Sequence, residues 1–305
     1  MRAILIFFLL FNGAFRLLAQ LPSDKLFRSG YYYLQVDNDK AIDYLSKAID
    51  RDSTRAKYYY FRGIARYKNG DYEGSINDFE SANQRDTVIA ITYMYQGMAY
   101  KNLGRYEEAS ERIDKFINKS SEVSSGYVYL VRGKVHMAAG NYEEALSDFT
   151  LLTESYPDIA LSNYYRLVTY LQMGDFASAL TDVNLLLAET PDFYGYYFYR
   201  GNVYFGMGKF RKAIEDYSTS LVHNKYNADA YYKRGMALDT LNQYLEAIDN
   251  YTYAITINAS DGVYYSRRGN SRYSIGNREG ACLDWTIAGN MGYYEDFDKV
   301  KRLCE

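Results

Sequence analysis

The chain has 305 residues, 48% of them hydrophobic and 24% charged, a composition that belongs to folded proteins and excludes disorder as its general state. A formal net charge of -3 and a pI near 5.6 supply no cationic field for a phosphate backbone or an anionic lipid surface, so nucleic acid is not an expected partner. Tyrosine is the anomaly: 37 of them stand against one Trp and three Pro, and an apolar ring with one polar tip suits half-buried faces and contact surfaces.

The first stretch, MRAILIFFLLFNGAFRLLAQ, has Arg2 near its start, an unbroken apolar run from Ala3 to Phe11 and a small residue at Ala19. That layout predicts a secretory signal peptide over 1–19, cut after Ala19, and therefore an exported chain, periplasmic or secreted. The run is too short for a hydrocarbon core that needs about 20 residues, and no later apolar segment reaches that length, so no membrane span is expected after cleavage.

From there on the chain repeats. Arg-Gly pairs recur beside tyrosines, as in YYYFRG, YYFYRG, YYKRG and YYSRRG, and Gly63, Gly97, Gly133, Gly201, Gly235 and Gly269 fall 34, 36, 68, 34 and 34 residues apart. The interval of 68 is two periods with Leu167 at its midpoint, and Ser29 stands one period before Gly63, which makes eight copies over 22–295. Two extra residues fall in SSEVSSG, between the third and fourth copies.

Twelve residues after each mark comes a small residue, namely Ala41, Ser75, Ala109, Ala145, Ala179, Ala213, Ala247 and Ala281, as two closely approaching backbones require. Seven residues after the mark comes Gly70, Gly104, Gly140, Gly174, Gly208 or Gly276, with Asn242 in the seventh copy as another residue that tolerates a left-handed turn. Apolar residues recur at steps of three and four on either side, as in Ala247, Ile248, Tyr251, Ala254 and Ile255, so each copy predicts helix, turn, helix.

These marks resemble the tetratricopeptide repeat family. Aromatics stand at the family's position 4 (Tyr59, Tyr93, Tyr129, Tyr197, Tyr231, Tyr265), position 17 (Tyr72, Tyr106, Tyr142, Phe176, Phe210, Tyr244) and position 24 (Phe79, Phe149, Tyr217, Tyr251, Trp285). The family's Pro at position 32 is present only as Pro157 and Pro191, and the first copy departs most, with Lys25 at position 4 and Val36 where its turn should have Gly. The resemblance implies an all-α fold: an α-solenoid of antiparallel helix pairs in a right-handed superhelix, its first helices lining an inner groove. Residues 296–305 would add a C-terminal capping helix.

Position 7, just before the mark, is Arg28, Arg62, Arg132, Arg166, Arg200, Arg234 or Arg268, with Gln96 the exception. Position 23 is Asp78, Asp148, Asp182, Asp216 or Asp284 in five copies; Arg112, Tyr44 and Asn250 replace it in the others. A half-buried guanidinium needs a carboxylate to offset desolvation, so the two positions are expected to pair and tie a first helix to a second one. The rival reading, an arginine ladder for an anionic ligand, sits poorly with the acidic composition.

Function is expected where the copies differ. In the family, positions 2, 5, 9 and 12 of the first helix face the groove, and that spacing does put them on one side of a helix. Here the expected protein-binding residues are Tyr60, Ile64, Met94, Met98, Leu130, Lys134, Tyr164, Val168, Phe198, Asn202, Tyr232 and Met236, apolar in the middle and more polar toward the C-terminal end. Such a strip predicts a site for an amphipathic helix or extended peptide, unless the side chains fill the groove themselves. Chaperone-binding members of the family hold a peptide carboxylate with a set of Lys and Asn residues; Lys134 and Asn202 do not make that set.

Cys282 and Cys304 are the only cysteines, and in an oxidising compartment they read as a disulfide fixing the cap over the last repeat. Two histidines, His136 and His223, lie in different copies, so no metal cluster, cofactor or catalytic set is expected. GMGKF at 206–210 lacks the spacing of a phosphate loop. The sequence therefore reads as a non-catalytic scaffold for a protein or peptide partner. The alternatives are a glycan or small-ligand receptor using groove tyrosines, or a permanent subunit of an envelope complex.

Overall fold

The computed structural model describes residues 21–86, 90–120, 126–156, 161–295 and 297–304. The expected signal peptide over 1–19 lies outside them, as do Pro157 and most of the Ser-rich stretch. Among the described residues there are seventeen helices and no strand, and no helix is long and apolar enough to cross a membrane. Two compact units divide the chain, Met1–Ile159 and Ala160–Glu305.

The first unit holds four helix pairs: α1 (Ser23–Tyr33) with α2 (Asn38–Arg51), α3 (Ala56–Lys68) with α4 (Tyr72–Arg85), α5 (Ile91–Asn102) with α6 (Tyr106–Lys119), and α7 (Tyr127–Ala139) with α8 (Tyr142–Ser155). The second holds α9 (Leu161–Met173) with α10 (Phe176–Glu189), α11 (Gly195–Gly206) with α12 (Phe210–His223), α13 (Ala228–Thr240) with α14 (Tyr244–Ile257), and α15 (Gly262–Ser274) with α16 (Arg278–Asn290), followed by α17 (Phe297–Leu303). Within each unit successive helices pack side by side, so each unit is a solenoid of helix pairs.

The turn inside a pair follows from one left-handed residue. Gly70 has φ 83°, and Asn242, which stands in place of the glycine in the seventh copy, has φ 60°. At the first of these turns Asp71 N–H donates to the Arg66 carbonyl at 2.9 Å, which closes α3, while the Asp71 carboxylate accepts from Gly74 N–H at 2.9 Å and opens α4. Pairs then pack through the small residues. A Cβ on Gly63 would sit 2.8 Å from Phe79 Cε1. Ala41, Ser75, Ala109, Ala145, Ala179, Ala213, Ala247 and Ala281 are all 0% exposed. Phe79, Phe149, Tyr217 and Tyr251 fill the space those residues leave and are fully buried, each contributing roughly 2–3 kcal/mol of burial.

The first pair departs from the register expected of it. Gly30, not Ser29, makes the close approach: its Cβ would lie 2.6 Å from Leu45 Cγ and 3.3 Å from the Ala41 carbonyl, as a Cβ on Gly97 would meet Ile113 Cγ1 at 2.5 Å and the Ala109 carbonyl at 2.9 Å. The cause is the turn. Without a left-handed residue between α1 and α2, Asp37 N–H reaches the Tyr33 carbonyl four residues back, where Asp71 reaches five back to Arg66, so the connection is one residue shorter. Leu26, 1% exposed, thereby takes the place expected of Lys25, and Arg28 is exposed instead of joining the arginine series.

The Arg and Asp positions pair within one repeat. Arg62, Arg132, Arg166, Arg200 and Arg268 donate through Nε and Nη2 to Asp78, Asp148, Asp182, Asp216 and Asp284, all sixteen residues ahead, at 2.6–3.2 Å. Several of these arginines also use Nη1 to reach the preceding second helix: Arg62 to Ser46 at 3.1 Å, Arg132 to Asp114 at 2.7 Å, Arg268 to Thr252 at 3.1 Å. One side chain thus joins three helices, and the aspartates, 0–8% exposed, are the buried counter-charges. The carboxylates hold the Arg132 and Arg200 guanidinium groups above their usual range, first by accepting hydrogen bonds at Asp148 and Asp216. Arg234 donates to the neutral Asn250 Oδ1 at 2.8 Å and Ser218 Oγ at 2.9 Å and lies over the Tyr231 ring at 5.5 Å, and burial pulls it down.

Candidate functional site

In the first unit, α3, α5 and α7 are neighbours and present the expected binding positions on their shared face. A cavity of about 80 Å³ opens there, lined by Tyr67, Met98, Lys101, Asn102, Tyr127, Leu130, Val131 and Lys134. Three of the expected site residues, Met98, Leu130 and Lys134, meet at this cavity. Leu130 is its floor at 5% exposure, and Tyr127 is its rim at 47%. Tyr67 and Lys101 hold position 12 and Tyr127 position 2 of the groove-facing spacing, while Asn102 and Val131 are lining residues outside it.

The remaining expected residues of this unit lie off the cavity. Tyr60 is half-buried among Phe61, Phe79 and Tyr95, with ring centroids at 4.9, 6.2 and 6.4 Å, and burial pushes its phenol up to about 12. Ile64 packs on the cluster of Leu34, Ala41, Leu45 and Ala65, and Met94 is half-buried on α5. Part of this face is therefore packed against its own neighbours.

The second unit is built differently. Tyr164 and Tyr199 share a hydroxyl hydrogen bond at 2.7 Å between α9 and α11, and burial raises the Tyr199 phenol. Val168 is half-buried on α9, and Phe198 lies between the rings of Tyr199 and Tyr217 at 5.7 and 5.9 Å. Tyr217 hydroxyl donates to Asn202 Oδ1 at 2.8 Å. Tyr232 packs on Tyr251 and Tyr264, at 6.1 and 5.2 Å, and Met236 on the Leu238, Ala247 and Tyr251 cluster.

One recurrent device lies outside the repeat pattern. In the second unit the buried aromatic of the second helix ends in a polar tip, and that tip reaches a first-helix binding position: Tyr217 to Asn202, Tyr251 to Asp239 at 2.7 Å, Trp285 Nε1 to Asn270 at 3.2 Å. In the first unit the same repeat position is Leu45, Phe79, Ile113 or Phe149, none of which has a polar tip. The change from Phe to Tyr and Trp along the sequence is the signal that carries it. Asp239 also accepts from Ser271 Oγ at 2.7 Å; burial raises its carboxyl, and the two hydroxyl bonds oppose that rise.

The end of the second unit is closed by a disulfide between Cys282 on α16 and Cys304 just after α17, with Cα atoms 5.6 Å apart. Lys299 of α17 donates to Asn270 at 2.7 Å and lies over the Trp285 ring at 5.5 Å. His136 is half-buried with Nε2 3.5 Å from Ser110 Oγ. Among the described residues no group of three or more His, Cys, Asp or Glu side chains could hold a metal ion.

Models of the tetratricopeptide repeat match residues 31–87, 94–149, 130–193 and 228–261, and a model of the TPR repeat matches 201–239. Among solved structures, a tetratricopeptide repeat protein from Parabacteroides merdae is 18% identical with a TM-score of 0.57 over 93% of this chain and 99% of its own. The C-terminal part of a TPR repeat-containing protein from Cytophaga hutchinsonii is 16% identical, with a TM-score of 0.61 over 78% and 95%. The APC/C hetero-tetramer Cut9-Hcn1 gives 16% identity and a TM-score of 0.60 over 90% of this chain and 54% of that one. A comparison with curated proteins finds no match. The distant structures speak for the fold alone, but the repeat models cover more than half of the sequence in phase with the helix pairs, and on that ground the chain belongs to the tetratricopeptide repeat family.

Proposed function

We propose that this protein is a non-catalytic scaffold of an exported compartment, and that the first-helix faces of its units hold a peptide or amphipathic helix of a protein partner. Tetratricopeptide repeats commonly mediate protein binding, and the fold is generally a scaffold without catalysis. The observation that carries the reading is the cavity between α3, α5 and α7, where side chains of three successive first helices leave a space with an apolar floor. Export is supported by the layout of residues 1–19 and by the Cys282–Cys304 disulfide, a bond suited to an oxidising compartment. A permanent place in an envelope complex would use the same face and differ only in lifetime.

A photo-crosslinking residue at Tyr127, on the cavity rim, compared with one at Leu245, 65% exposed on a second helix, tests the reading in the native cell. Protein adducts at Tyr127 and not at Leu245 are expected; adducts at Leu245 alone would overturn it. Amino-terminal sequencing of the protein from that cell is expected to begin at Gln20. A start at Met1 would remove the export reading.

The half-buried tyrosines on the first helices of the second unit, Tyr164, Tyr199 and Tyr232, favour a second reading, a glycan or small-ligand receptor. Saturable thermal stabilisation by oligosaccharides would select it over protein capture.

A further inference from the structure

The cavity of the first unit carries more than an apolar surface. The binding positions of α3, α5 and α7 include Lys57, Lys101 and Lys134 and not one carboxylate. General basicity does not explain this, because residues 21–159 contain 18 Lys and Arg against 21 Asp and Glu. The corresponding positions of α9, α11, α13 and α15 have the opposite sign, with Asp229 and Asp239 and no Lys or Arg. Cations have therefore been collected on one face of an acidic unit.

Lys57 is held outside the cavity by Asp24, at 3.3 Å, and lies over the Phe27 ring at 4.7 Å. Lys101 and Lys134 line the cavity itself, beside Met98, Leu130 and the rings of Tyr67 and Tyr127. Its volume of about 80 Å³ compares with the ~150 Å³ of an engineered cavity that binds benzene, which leaves room for one aliphatic side chain. Both lysines are half-buried, so a carboxylate beside them would meet less water than at an open surface.

Resting on the scaffold reading above, we propose that the first unit selects an acidic amphipathic segment of its protein partner. One aliphatic side chain of that segment enters the cavity over Leu130, and flanking Asp or Glu carboxylates pair with Lys101 and Lys134. Charge complementarity sets the choice of partner, and the apolar cavity sets the register.

The test uses the full chain and three labelled helical peptides with the same leucine stripe, flanked by Glu, Gln or Lys, with binding read by fluorescence anisotropy at low salt. The Glu peptide is expected to bind about tenfold tighter than the Lys peptide, a preference that shrinks as salt is added. K101E with K134E should reverse the order, and the milder K101Q with K134Q should level it, circular dichroism staying unchanged in both. Equal binding of the Glu and Lys peptides, or full affinity of the Glu peptide for K101Q/K134Q, overturns the inference. If the peptides bind without any order by charge, the scaffold reading survives and the acidic partner does not; if none binds, both fall.

Discussion

Arg62 and Asp78 face each other across the α3–α4 pair in a two-point contact, Nε and Nη2 on the two carboxylate oxygens at 2.9 and 2.7 Å, with the Asp78 side chain 3% exposed. Arg66 adds a third bond to the same carboxylate at 2.9 Å. Replacing Asp78 by Ala leaves the partly buried Arg62 without its anion and Arg66 with Asp71 alone, at 3.5 Å, so Asp78→Ala should cost about 3 kcal/mol and lower the urea unfolding midpoint. An unchanged midpoint would mean that the pairs decorate the solenoid without holding it together.

Ser75 stands where the other seven copies have alanine, and its hydroxyl is buried with no hydrogen-bond partner. Ser75→Ala removes an unsatisfied polar group and keeps the close packing of α4, so it should stabilise by about 1 kcal/mol. A lower unfolding midpoint in this variant would contradict that account of the small positions.

Much of this architecture was legible in the sequence because repeats multiply each signal. The marks at Gly63, Gly133, Gly201, Gly235 and Gly269 give the helix pairs, and Arg at position 7 with Asp at position 23 gives the ion pairs. What failed did so where a signal existed only once. The α1–α2 turn has no glycine to mark its length, so the repeat spacing alone puts the first helix one residue out of register and Arg28 at position 7. The spacing marks Leu130 as a groove position but not as the floor of a cavity, because depth depends on Tyr67, Met98 and Tyr127 from three helices. The repeat pattern marks Tyr217, Tyr251 and Trp285 only as aromatics, since the target of a polar tip lies on another helix.

Asp239 gives a pH test. Its carboxyl is raised above 3.8, by burial first, so folding favours the protonated form. The folded state is therefore unpenalised on the acid side, and the penalty grows as pH rises from 3.8 through the folded value. Asp239→Asn keeps the shape without the charge. Its stability relative to the native chain should rise between acid and neutral pH, read as unfolding midpoints across that range; a difference that falls with pH would contradict the sign.

The Cys282–Cys304 bond closes a loop of 22 residues around the α16–α17 cap, which in chain-entropy terms is about 3 kcal/mol. Cys282→Ser should open the cap locally. Limited proteolysis is expected to release the C-terminal segment from the variant early while the helices before α15 stay protected. Equal resistance of the variant and the native chain would show that Lys299 and its contacts hold α17 without the disulfide.

Hydrogen–deuterium exchange of the full chain with and without its crosslinked partner tests the central claim most directly, because it reads which helices a partner covers. Protection is expected on the first helices, strongest on α3, α5 and α7 around Tyr127 and Leu130. Protection confined to the second helices α4, α6 and α8 would contradict the account.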